Sequence, residues 1–225
     1  MNPKRILIYL LGMIILALGL TLNSKLTLGV SPILSVPFAL SQILLVKYAD
    51  LVFVWYCLFI AAQLILHFFV LHEKEKGVYV TDVLQIVISL LFTRLMDVFS
   101  SLIPVFASEC KGPFNSLAFR LLMLAVAIIL TGIGASFTLN MDLIPNPGDG
   151  IVAVSAKVLK KPVGTAKNII DISCVILTII ISLLCKGEIL GVGIGTLCAM
   201  LGVGRVINFI NKKSSHKEPS IQETE

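Results

Sequence analysis

The sequence predicts an all-α, polytopic transmembrane helix bundle with about six spans, two short broken or re-entrant helices and an internal duplication. Three observations carry that reading. First, six long apolar stretches cover residues 6–22, 51–71, 78–92, 121–137, 169–185 and 189–210. At 1.5 Å of rise per helical residue, several of them cross a hydrocarbon layer about 30 Å thick. Second, the chain is 57% hydrophobic and 14% charged, with a mean hydropathy of +0.98, whereas soluble domains carry about 25% charged residues. Third, a span, a short proline-containing segment and two further spans occur in that order twice.

The first stretch follows Lys4 and Arg5, as the apolar part of a signal peptide follows its basic start. It is long, and no small-residue cleavage pattern follows it, so it is read as an uncleaved first helix. Next comes Ser31-Pro32-Ile33-Leu34-Ser35-Val36-Pro37, which opens a segment of about a dozen residues between breakers. The run Asn146-Pro147-Gly148-Asp149-Gly150 opens a second one, ending at Lys160-Lys161-Pro162. Irregular backbone survives in a bilayer only where protein or a water-filled cavity satisfies it. Re-entrant half-helices, broken spans, interfacial helices and ordinary loops all fit these two segments.

Lysine and arginine set the expected orientation. With six spans and a cytoplasmic N-terminus, Lys4, Arg5, Lys74, Lys76, Lys157, Lys160, Lys161, Lys167, Arg205, Lys212, Lys213 and Lys217 fall on the cytoplasmic side. The other side keeps Lys25, Lys47, Lys111 and Lys186. Both termini are therefore expected inside. An eight-crossing arrangement, with residues 32–47 and 148–161 also spanning, keeps the termini and moves the 72–76 loop outside.

Shifting the chain by 115 residues lays Arg5 on Arg120, Gly19 on Gly134, Pro32 on Pro147, Glu73 on Glu188 and Thr81 on Thr196. The expected organisation is a first membrane repeat over residues 1–110, a second over 111–211 and a disordered cytoplasmic tail over 212–225. Transporters are often built from such repeats. The halves differ in chemistry. Opposite Asp149, Lys157, Asn168 and Asp171 stand Leu34, Gln42, Phe53 and Tyr56, so the second half is expected to supply most of any polar site.

Pro147 and Gly148 suit a turn, and Asp149 is a fair N-cap for a helix from about residue 150 to 160. Thr165 is expected to cap the fifth span, with Lys167, Asn168 and Asp171 in its first two turns. Two neighbouring helix N-termini lined with lysines would suit an anion; capping and anchoring explain the same residues. Asp171 opens a strongly apolar run, and a carboxylate inside a span is costly unless paired or functional. Lys167, four residues earlier, is its local partner. Arg94 and Asp97 read as a similar pair. Gly187, Gly191, Gly195 and Ala199 recur every four residues, the spacing of a small-residue packing ridge. The candidate solute-binding residues are Asn146, Asp149, Lys157, Asn168, Asp171 and Thr196.

Other chemistry is not expected. The net charge of +5 sits in loops and at span ends, with no basic stripe interleaved with aromatics, so nucleic acid is a poor partner. Four of the five cysteines lie in apolar runs, none in C-x-x-C, and act as small hydrophobes. His67, His72 and His216 have no ligand spacing with them. No H-E-x-x-H, G-x-S-x-G or catalytic carboxylate pair occurs, so neither an enzyme, a metal site nor a cofactor is predicted.

The second half resembles the YczE/YyaS/YitT group of bacterial integral membrane proteins. The resemblance rests on Pro147-Gly148-Asp149-Gly150, on the run from Gly164 and Thr165 through Lys167-Asn168 to Asp171, and on Gly193-Ile194-Gly195-Thr196. It covers residues 119–210, and the first half by hydropathy alone. It implies a bacterial cytoplasmic membrane protein of a group often labelled as transporters. The expected function is a small-solute transporter or exporter, with an anionic solute as one option. Its partners are the lipid bilayer, the solute, and either a second copy or another membrane protein. The rival function is a non-transporting membrane factor that stabilises or regulates a partner protein.

Overall fold

A computed structural model describes residues 3–141 and 143–215 of the chain. Among these residues six helices are long and apolar enough to cross a membrane, so the protein is a multi-pass integral membrane protein. They are α1 (Pro3–Lys25), α3 (Tyr48–Ile65, continued by a π-helical turn Leu66–Val70), α4 (Lys76–Leu102), α5 (Leu117–Asn140), α7 (Val163–Lys186) and α8 (Ile194–Ser215). Two short helices interrupt them: α2 (Ser35–Leu44), entered through a 3-10 turn at Pro32–Leu34, and α6 (Pro147–Leu159). Helix α8 continues to Ser215 where a disordered tail is expected from residue 212; the rest of that tail lies outside the described residues.

The centre of the bundle is the antiparallel pair α1–α5. Glycine makes it possible. A Cβ on Gly12 would sit 2.7 Å from the Phe137 Cβ, and one on Gly19 would sit 2.6 Å from the Thr131 amide nitrogen. The backbones thus approach as small-residue helix pairs do in membranes. Around this pair, α4 packs on α1 and α8 on α5. Helix α2 packs on α7 and α3, and α6 packs on α3 and α7.

Contacts at the ends of the helices give the direction of every span. The Phe106 amide donates to the Lys25 carbonyl (3.0 Å), and Arg120 Nε donates to the Leu26 carbonyl (2.8 Å). Lys47 pairs with Asp97 (3.4 Å) and Arg94 with Asp50 (3.1 Å). The Val30 amide donates to the Gly191 carbonyl (2.9 Å). One end of the bundle therefore holds the end of α1, the start of α3, the end of α4, the start of α5 and the α7–α8 loop. The opposite end, where α1 begins, also holds the end of α5, since Arg5 donates to the Met141 carbonyl.

Helix α2 lies between the end of α1 and the start of α3, which share one end, so it enters and returns without crossing. Helix α6 does the same from the opposite end. This removes the eight-crossing arrangement and leaves two re-entrant half-helices, as hydrogen bonding to neighbouring helices permits. The arrangement repeats at an offset of 115 residues: residues 32–44 and 147–159 form the half-helices. Each closes on a left-handed residue, Leu45 (φ 56°) and Lys160 (φ 51°).

Candidate functional site

The N-terminal ends of the two half-helices meet inside the bundle. Ile33 Cδ1 would lie 3.3 Å from a Cβ placed on Gly148, and Tyr56 Cε1 3.8 Å from it. Trp55, seven residues into α3, donates its indole N–H to the Ile33 carbonyl (3.0 Å), about 10 Å below that end of the bundle. Ser35 and Thr178 share a hydrogen bond of 2.7 Å between α2 and α7. On the other side, Gln63 donates to the Pro147 carbonyl (3.4 Å), and Gly150 has no room for a side chain because the Gln63 amide fills that space.

The first turn of α6 is built as its sequence dictates. Asn146, not Asp149, is the N-cap: its Oδ1 accepts from the Gly148 amide (3.1 Å), and its carbonyl accepts from the Asp149 (2.9 Å) and Gly150 (2.8 Å) amides. Pro147 takes the first helical position, where a missing N–H costs nothing. Asp149 is the third helical residue, a carboxylate at the positive pole of the helix. It is partly exposed and lies within electrostatic reach of Lys167 and Asp171, as Tyr9 and Tyr56 do of it. Lys167 Nζ meets Asp171 Oδ2 at 2.9 Å, in the i, i+4 pair read from the sequence. Asp171 is only 1% exposed, and its Oδ1 has no hydrogen-bond partner among the described residues.

Of the six sequence-derived candidates, Asn146, Asp149 and Asp171 thus come together. Lys157 and Asn168 are exposed. Thr196 is buried at the start of α8, where its Oγ1 accepts from the Gly193 amide (3.2 Å) and donates to the Gly191 carbonyl (3.3 Å). It closes the α7–α8 loop against Gly29.

Four further expectations are corrected. The N-terminus of α7 follows the C-terminus of α6, so the pole of α6 faces that of α2. The N-cap of α7 is Pro162, and Thr165 is exposed. Gly187 and Gly191 precede α8 and adopt φ of 74° and 75°, so they form no ridge with Gly195; Gly193 and Gly195 instead abut the Leu28 backbone. Arg94 and Asp97 bind Asp50 and Lys47, across to the start of α3, rather than each other.

The first half is not chemically plain. Gln63 and Gln85 exchange amide hydrogen bonds (3.1 and 3.0 Å), Gln85 also donates to Asp82 Oδ1 (3.4 Å), and Asp82 Oδ2 meets His67 Nδ1 at 2.7 Å. All four are at most 3% exposed. The network joins α3, α4 and the start of α6. It was hidden within two apolar runs, but a signal existed: Gln63/His67 at i, i+4 and Asp82/Gln85 at i, i+3 each mark one helix face.

The chain matches the family described as "Family of unknown function (DUF6198)" over residues 3–212 and belongs to that family. No curated protein and no solved structure matches it.

Proposed function

We propose that this member of a family without an assigned function is a small-solute transporter or exporter of the bacterial cytoplasmic membrane. Both termini face the cytoplasm. One observation carries the reading: two half-helices enter from opposite ends and bring Asn146, Asp149, Lys167 and Asp171 to their junction. Discontinuous helices whose N-termini converge within a repeated bundle are how secondary transporters build a site away from both surfaces. Ionisable groups at that depth are costly, and such groups typically mark a solute or ion path. The lysine and arginine bias agrees with a cytoplasmic placement of the end where α1 begins. The second-half motifs support kinship with the YczE/YyaS/YitT group.

Purified protein in proteoliposomes, screened against classes of labelled small solutes, is expected to show saturable uptake that Asp171→Asn abolishes while insertion is retained. Normal yield with normal uptake in that variant would remove the junction as the solute site. A membrane factor without transport would instead co-purify with one defined protein and show no uptake. Cysteines introduced near each terminus are expected to resist an impermeant thiol reagent in intact cells.

A further inference from the structure

We propose that the junction binds one exchangeable cation between Asp149 and Asp171, so that the solute, or the ion driving it, is positively charged. The proposal rests on reading the junction as the solute site. Counting charges there decides the sign. With all three ionised, Asp149 from α6 and Asp171 and Lys167 from α7 carry a formal charge of −1. Among the described residues, the other titratable groups within electrostatic reach of them are Tyr9 from α1, Tyr56 with Tyr48 behind it from α3, and Cys174 from α7. All four are neutral acids in their protonated forms, and none supplies a cation.

The ammonium of Lys167 is committed to Asp171 Oδ2, and the lysines at 157, 160 and 161 are exposed rather than turned to the junction. The positive pole of α6 is already met by Asp149. An anion would therefore face two carboxylates. The buried Asp171 Oδ1 has no partner among the described residues, and a buried carboxylate oxygen without one carries an uncompensated cost of lost hydration. An ammonium group, an alkali-metal ion or a proton would each satisfy it. Asp149 keeps part of its surface accessible.

The test uses the full-length protein in detergent at pH 8 with choline chloride, whose bulky quaternary nitrogen has no N–H to donate. Sodium, potassium and methylammonium chlorides replace it in turn at equal ionic strength, and a fifth arm keeps choline at pH 5.5. At least one arm is expected to raise the melting temperature saturably, by about 5–10 °C at a hundredfold excess over Kd. The responding arm identifies the species as alkali metal, amine or proton. Asp171→Asn and Asp149→Asn should each lose that response, and Lys167→Gln should strengthen it by freeing Asp171 Oδ2. If Asp171→Asn does not fold, Asp149→Asn carries the comparison, because it breaks no ion pair. Identical responses in parent and Asp149→Asn, or none in the parent, would overturn the cation site. Stability is read without flux, so a cation response with no uptake would retain the site and reject the transporter.

Discussion

Helices α3 and α4 pack along one another, whereas α7 and α8, their counterparts 115 residues later, share no extended contact among the described residues. The difference lies in four positions. Gln63, His67, Asp82 and Gln85 correspond to Thr178, Ser182, Leu197 and Met200. In the first half they form a closed buried network. In the second, Thr178 turns to Ser35 on α2, the Ser182 hydroxyl is buried without a partner among the described residues, and Leu197 is 60% exposed. Between helices in lipid there is no hydrophobic force comparable to that in water, so interhelical hydrogen bonds and close packing decide which helices associate. One polar network therefore ties α3 to α4 in addition to the packing of α4 on α1, whereas α8 keeps only the corresponding packing on α5. The halves have divided the work: the first holds a rigid pair of spans, and the second carries the Lys167–Asp171 pair and Asp149.

This contrast can be broken most strongly at Asp82. Asp82→Ala leaves two buried groups, the His67 ring nitrogen and the Gln85 amide, without their shared acceptor and is expected to cost about 2–6 kcal/mol, roughly 1–3 for each, read as a lower midpoint of unfolding in mixed micelles. Leu197→Ala, at the corresponding place in α8, should change the midpoint little. Equal losses in the two variants would mean that the network does not distinguish the pairs.

A smaller effect is expected at the two glutamines. Gln85→Leu leaves the Gln63 amide buried and half satisfied, at a cost of about 1–3 kcal/mol. Adding Gln63→Leu should cost less than it does alone, because the amide pair is already broken and only the bond to the Pro147 carbonyl is left to lose. Strictly additive losses in this double-mutant cycle would show that the glutamines act separately.

The smallest effect is expected at Ser182. Ser182→Ala removes a buried hydroxyl that has no partner, so the unfolding midpoint should stay within about 0.5 kcal/mol of the parent or rise. Removing its counterpart His67 should be as damaging as Asp82→Ala. A clear destabilisation by Ser182→Ala would reveal a second network between α7 and its neighbours.

The two halves also show which signals a sequence carries openly. Asp149 and Asp171 were legible because a carboxylate next to a breaker or at the head of an apolar run stands out. His67 and Asp82 stood out less, because each shares a face of its own run with one glutamine and only the meeting of α3 and α4 joins the two faces into a network. Lys157 and Asn168 lie close in sequence to the half-helix and its successor, yet helical rotation turns both outward. Thr196 shares a motif with the glycines around it, and the structure uses that motif to close a loop.

The sequence by itself determined the membrane solvent, the six spans, the two broken segments and the 115-residue offset. These follow from local quantities: apolar run length, proline and glycine placement, and the order in which they recur. Only the tertiary structure decided that the broken segments re-enter from opposite ends, that their N-termini meet, and that Gln63 reaches both Gln85 and Pro147. Those contacts join residues 22, 84 and 143 positions apart. No local pattern encodes such pairings, because a half-helix has the same hydropathy whichever neighbour satisfies its open end.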